Sequence, residues 1–199
     1  MNARTTRILL MSTAFLAGLV LCLAVVLIVT RNLSSPVAQQ IAAIGGPFKL
    51  VDQDGKELSD QDMKGRPFLV FFGFTHCPDV CPTALFEISE ILRSLGGEGS
   101  RIGALFVTVD PERDTPAVLK EYLSSFDPRL KGLTGDPAAI AAVSKAYRVY
   151  YKKVPLDQGG YTMDHTAIVY LMDKEGRFVA PFSLKRTADV AASDLRKYF

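Results

Sequence analysis

Phe68-Leu-Val-Phe-Phe-Gly-Phe-Thr-His-Cys77-Pro-Asp-Val-Cys81-Pro82 is the stretch on which the reading of this chain turns. The apolar and aromatic run Phe68–Phe72 reads as a buried strand, broken at Gly73. It then delivers two cysteines, four residues apart, to the start of a helix. A helix N-terminus lowers thiol pKa through its unpaired N–H groups and macrodipole, so this is a setting for a reactive or metal-binding thiolate pair. Two cysteines one helical turn apart sit roughly 6 Å from each other, which permits a disulfide and equally lets both sulfurs face one metal. Pro78 and Pro82 stiffen the loop.

Working outward, 199 residues leave room for one domain plus an appendage, and 48% hydrophobic residues are unevenly spread. Ile8 to Thr30 carries no charge and is long enough to cross a bilayer core of ~30 Å as a helix. Arg4 and Arg7 precede it, which places residues 1–7 in the cytoplasm and everything after Arg31 outside. A cleaved signal peptide is the competing reading, but the apolar run exceeds a signal core and no A-x-A-like site closes it. Leu21 before Cys22 fits a lipoprotein cleavage site poorly, so Cys22 reads as a membrane-buried thiol without chemistry. The expectation is a single-pass bacterial inner-membrane protein with its soluble part in the periplasm. Residues 31–46 form a tether. The +2 net charge has mixed signs, so nothing marks a nucleic-acid surface. In an oxidising compartment the bland account of Cys77 and Cys81 is a structural disulfide.

From Pro47 to Phe199 the pattern is a hairpin (Phe48–Val51 and Lys56–Leu58), the strand Phe68–Phe72, a helix over Thr83–Leu95, and a strand over Ile102–Val109. Thr115-Pro116 opens a helix through Phe126, and Asp136-Pro137 opens another over Ala138–Tyr147. Strands over Thr166–Met172 and Arg177–Phe182 follow. Thr187 starts a last helix with Val190, Leu195 and Phe199 inward. Two apolar strands joined by a helix make a parallel, right-handed crossover, and the closing hairpin makes the sheet mixed. The expected fold is an α/β, thioredoxin-like mixed sheet flanked by helices and preceded by one transmembrane helix, with the cysteines at the sheet's carboxyl edge.

The chain has two histidines. His76 adjoins Cys77 and reads as a local hydrogen-bonding residue. His165, at the start of the strand expected over Thr166–Met172, falls where a thioredoxin-like sheet meets its cysteine helix. Two thiolates and an imidazole suit Cu(I), and Cu(II) with added solvent or carboxylate; zinc with an open position is also permitted. C-x-x-x-C is wider than the C-x-x-C of thioredoxin-like reductases, which opens the bite for a metal.

Gly65–Thr83, Val109-Asp-Pro-Glu-Arg-Asp-Thr-Pro116 and Asp164-His165 closely resemble the SCO/SenC family of copper chaperones for cytochrome c oxidase. The resemblance runs from about Pro47 to Phe199. It implies Cys77, Cys81 and His165 as ligands of one copper ion, as Cu(I), Cu(II) or both. It further implies delivery of that ion to the dinuclear copper centre of oxidase subunit II, or reduction of the acceptor thiols there. Other periplasmic copper chaperones or thiol reductases are implied as further partners. The alternative is a thiol–disulfide oxidoreductase with Cys77 and Cys81 as its redox pair; a peroxiredoxin would need neither Cys81 nor His165. Asp110–Asp114 reads as a charged turn with Thr115 capping the next helix, Asp110 being assigned a role in orienting the site or docking a partner by resemblance alone. Met163 reads as packing, and Arg148–Lys153 as a solvated hairpin face.

Overall fold

The computed structural model describes residues 3–32 and 44–199, and within the first of these it describes the side chains of Met11 and of Phe15–Val29. The chain divides into two units, Met1–Ile41 and Ala42–Phe199. Most of the tether expected over 31–46, residues 33–43, lies outside the described residues. The first unit contains one helix, α1 (Ala3–Asn32). Its described side chains are all exposed. Among the described residues no helix is long and apolar enough to cross a membrane.

The second unit is built on a seven-stranded mixed sheet in the order β2-β1-β5-β4-β3-β8-β9. These strands are β1 (Lys49–Asp52), β2 (Glu57–Ser59), β3 (Phe68–Gly73), β4 (Gly103–Thr108), β5 (Leu130–Thr134), β8 (Val169–Met172) and β9 (Phe178–Phe182). The parallel core is β3-β4-β5, and β1 and β8 pair antiparallel to its two sides. Every residue of β3 and β4 is buried, which is why both read as continuous apolar runs and not as an alternation. The helices are α2 (Val80–Ser94), α3 (Pro116–Leu123), α4 (Pro137–Ala146) and α5 (Ala188–Leu195). Thr115 caps α3 by accepting from Val118 N–H, and Asp136 caps α4 by accepting from Ala139 N–H, each followed by a first-turn proline.

Beyond shifts of a few residues at helix ends, such as the helix read through Phe126 that stops at Leu123, four features depart from the pattern read in the sequence. The strand expected over Thr166–Met172 is shortened to β8, which begins at Val169, and a separate strand, β7 (Tyr161–His165), precedes it and ends at the histidine. His165 therefore closes one strand instead of opening another. The second feature is a two-stranded sheet outside the main one, in which β7 pairs with β6 (Tyr151–Pro155). The third is β5, whose Lys131 and Gly132 hide it from a hydrophobicity reading; pairing with β4 and β1 makes it a strand. Val190, fourth, is about half exposed, and α5 instead turns Ala191, Ala192 and Leu195 inward. Phe199 is partly buried, under the guanidinium of Arg101.

Candidate metal centre

Helix α2 begins three residues earlier than its apolar periodicity indicates, at Val80, so Cys81 lies in its first turn and Cys77 in the turn before it. The N-cap residue Asp79 makes no side-chain cap bond. Instead Cys77 Sγ accepts from the Cys81 N–H at 3.3 Å, so the first sulfur takes the place of a capping oxygen at the positive end of the helix. Both thiols are free. Cys77 is partly buried and Cys81 is completely so. Burial pushes the Cys81 thiol well above its ordinary range, with Cys77 and Asp114 adding to the rise.

His165 arrives from the end of β7. Its Nδ1 lies 3.1 Å from the Thr166 carbonyl oxygen. A carbonyl only accepts, so Nδ1 carries the proton and Nε2 is left with its lone pair. That nitrogen is 3.6 Å from Cys81 Sγ, where the buried thiol is its donor. Phe74 and Phe71 stand edge-on to the imidazole, with centroids 5.7 and 6.4 Å away, and fix its plane. The two sulfurs and one histidine nitrogen lie within 4.8 Å of one another. This is a soft, three-donor set whose buried thiol proton a metal ion would replace. His76, by contrast, is exposed, with Nδ1 3.1 Å from Thr75 Oγ1, and takes no part in this grouping.

The room for Cys81 is made by Gly73, the last residue of β3. A Cβ there would lie 2.7 Å from both Cys81 Sγ and the Phe106 ring. Gly73→Ala is therefore expected to destabilise the apo-protein by about 1–3 kcal/mol, the usual cost of overpacking. Urea denaturation of wild type and variant checks this, and an unchanged midpoint would contradict the close approach.

Several residues that pattern reading passed over support the centre. Asp114 is fully buried and accepts from Thr75 N–H (3.0 Å), Thr75 Oγ1–H (2.6 Å) and Thr108 Oγ1–H (2.6 Å). It thereby ties the segment leading to Cys77 onto the end of β4. In the sequence it belongs to a charged turn, and its separation from Thr75 by 39 residues gave no signal. The Tyr122 hydroxyl is buried without a hydrogen-bond partner, and burial together with the adjacent Cys81 and Cys77 raises its pKa. Met163, on β7, is buried.

The fold and the donors define a thioredoxin-like domain carrying a two-cysteine, one-histidine metal-ion grouping at its cysteine loop. A family model fits residues 36–199, and the chain belongs to the SCO1/SenC family. The structure of Bradyrhizobium japonicum ScoI with copper bound is 64% identical, covers 79% of this chain and all of its own, and superposes with a TM-score of 0.78. The SCO2-like protein of Rickettsia prowazekii is 41% identical over 158 residues, 78% of this chain and 75% of its own length. BsSco, described as having a disulfide switch and as a member of the Sco family of cytochrome c oxidase assembly proteins, is 26% identical with a TM-score of 0.61. That match covers 79% of this chain and 94% of the other. The chain spans about half the length of some mitochondrial relatives.

Proposed function

We propose that this protein is a membrane-anchored copper metallochaperone. Cys77, Cys81 and His165 hold one copper ion as cargo and pass it to the dinuclear copper centre of cytochrome c oxidase subunit II. The observation that carries this reading is the imidazole: Nε2 presents its lone pair to Cys81 Sγ because Nδ1 is committed to Thr166 O. Thiol exchange needs only sulfur, whereas a third, oriented nitrogen donor has a use in holding a soft metal. Family membership and the copper-bound ScoI relative support the choice of copper over zinc. The uncharged run Ile8–Thr30 supports an anchor in the inner membrane, with Arg4 and Arg7 on the cytoplasmic side and the copper domain in the periplasm.

A second reading is favoured by the contact of Cys77 Sγ with the Cys81 amide, which places both free thiols at one helix N-terminus. As a thiol–disulfide oxidoreductase, Cys77 and Cys81 would be oxidised to a disulfide while an acceptor disulfide is reduced to two thiols, with two electrons and two protons passing between them. The test is copper uptake by the thiol-reduced, full-length protein in detergent, measured by elemental analysis after desalting. One copper per chain is expected. No retained copper, together with insulin reduction at a rate near that of a thioredoxin, would replace the first reading with the second.

A further inference from the structure

The hairpin that carries His165 is not part of the main sheet. A two-stranded ribbon is marginal by itself, so the position of its last residue depends on what holds the hairpin down. Among the described residues, and apart from the bond of His165 Nδ1 to the next residue's carbonyl, the hydrogen bonds that leave strands β6 and β7 go to two places. One is Cys81, reached by His165. The other is the loop that follows β4: Tyr161 Oη–H donates to Asp110 Oδ1 at 2.9 Å, Arg113 Nη1–H donates to Tyr161 O at 3.0 Å, and Lys153 Nζ donates to Glu112 Oε2 at 2.6 Å. Arg113 also pairs with Asp110, which is 1% exposed, and its guanidinium stacks 3.8 Å above the Tyr161 ring. The same loop continues into Asp114, which holds Thr75 beside the cysteine segment. One five-residue loop thus grips both halves of the metal centre.

We propose that Arg113, with Tyr161 and Asp110, is a positioning latch: it holds the β6–β7 hairpin so that His165 Nε2 stays within reach of the two sulfurs. This rests on the reading of Cys77, Cys81 and His165 as a copper site. With the latch closed, the imidazole is the third donor. With it open, the hairpin carries the imidazole away and leaves the ion on two thiolates, where incoming thiols displace it more readily. Arg113 and Tyr161 touch no metal donor in this scheme and act only through the placement of β7. The outer Lys153–Glu112 pair is exposed and contributes little.

The test measures Cu(I) affinity of the full-length protein by competition with a chromophoric chelator, for wild type, Arg113→Ala, Arg113→Lys, Tyr161→Phe, His165→Ala and the double variant Arg113→Ala/His165→Ala. Arg113→Ala is expected to weaken binding roughly tenfold, at the lower end of what outer-shell partners of a metal site contribute. Arg113→Lys should recover part of this, and Tyr161→Phe, which deletes one hydroxyl, should fall between. The deciding comparison is the cycle: with His165 already gone, Arg113→Ala should cause no further loss. An equal loss in both backgrounds would make Arg113 merely structural, and an unchanged affinity in the single variant would overturn the latch directly. Amide hydrogen exchange on the metal-free protein gives a second readout: Thr162–Asp164 should exchange faster in Arg113→Ala than in wild type. Unchanged protection overturns the latch. Wild type that binds no copper overturns the copper reading on which it rests.

Discussion

His165→Ala is expected to lose copper on desalting and to weaken Cu(I) affinity by about a hundredfold or more, beyond the 10–100-fold that loss of an outer-shell partner costs. The substitution removes the nitrogen whose lone pair is oriented by the Nδ1–H bond to Thr166 O. Cys77 and Cys81 remain, so the variant keeps a weak two-thiolate site and its Cu(II) form shows a shifted thiolate charge-transfer band. The metal-free variant should stay folded, because the ring is only partly buried at the edge of Phe71 and Phe74. His76→Ala is the control: an exposed ring bonded to Thr75 has no donor near the sulfurs, and affinity should not move. Full affinity in His165→Ala, or a matching loss in His76→Ala, would refute this assignment.

The second large effect falls on a residue that touches no metal donor. Asp114→Ala strips a fully buried acceptor from three donors at once, two on half-buried Thr75 and one on buried Thr108. Leaving these hydroxyls and an amide unpaired costs about 1–3 kcal/mol apiece, so a loss of at least about 3 kcal/mol is expected in urea denaturation. Asp114→Asn keeps the shape and one acceptor oxygen and should cost less. Because Thr75 leads into the Cys77 turn, the alanine variant should also expose Cys77 to alkylating reagents faster than wild type. If Asp114→Ala unfolds at the wild-type midpoint, the carboxylate is not the fastener described here.

What the residue pattern disclosed was set by local physics. Continuous apolar runs announced β3 and β4, and the Thr-Pro and Asp-Pro pairs announced α3 and α4, because caps and prolines act within a few residues. The nearness of His165 to Cys81 is legible from the thioredoxin-like plan, although the histidine ends β7 and does not open β8. What stayed hidden depended on distant partners. β5 is a strand because of its neighbours, with Lys131 and Gly132 in its middle. β6, with Lys152 and Lys153 exposed, reads as a solvated hairpin face, and what its residues do not reveal is that its partner is the strand ending at His165. Asp114 looks like one more surface acid until Thr75 and Thr108 close around it. Periodicity carries no trace of hydroxyls that meet a carboxylate only after folding.

The strand that follows His165 has a further consequence, for the order of events during synthesis. β8 lies directly against β3, completing the centre of the sheet with residues from late in the chain. The histidine stands 84 residues after Cys81. A nascent chain that has emerged only through α4 therefore possesses both cysteines but neither the strand that completes the centre of the sheet nor the imidazole. Contacts this far apart in sequence form late and slowly. The complete donor set comes into being only when the fold closes, so copper loading reports that the protein has finished folding.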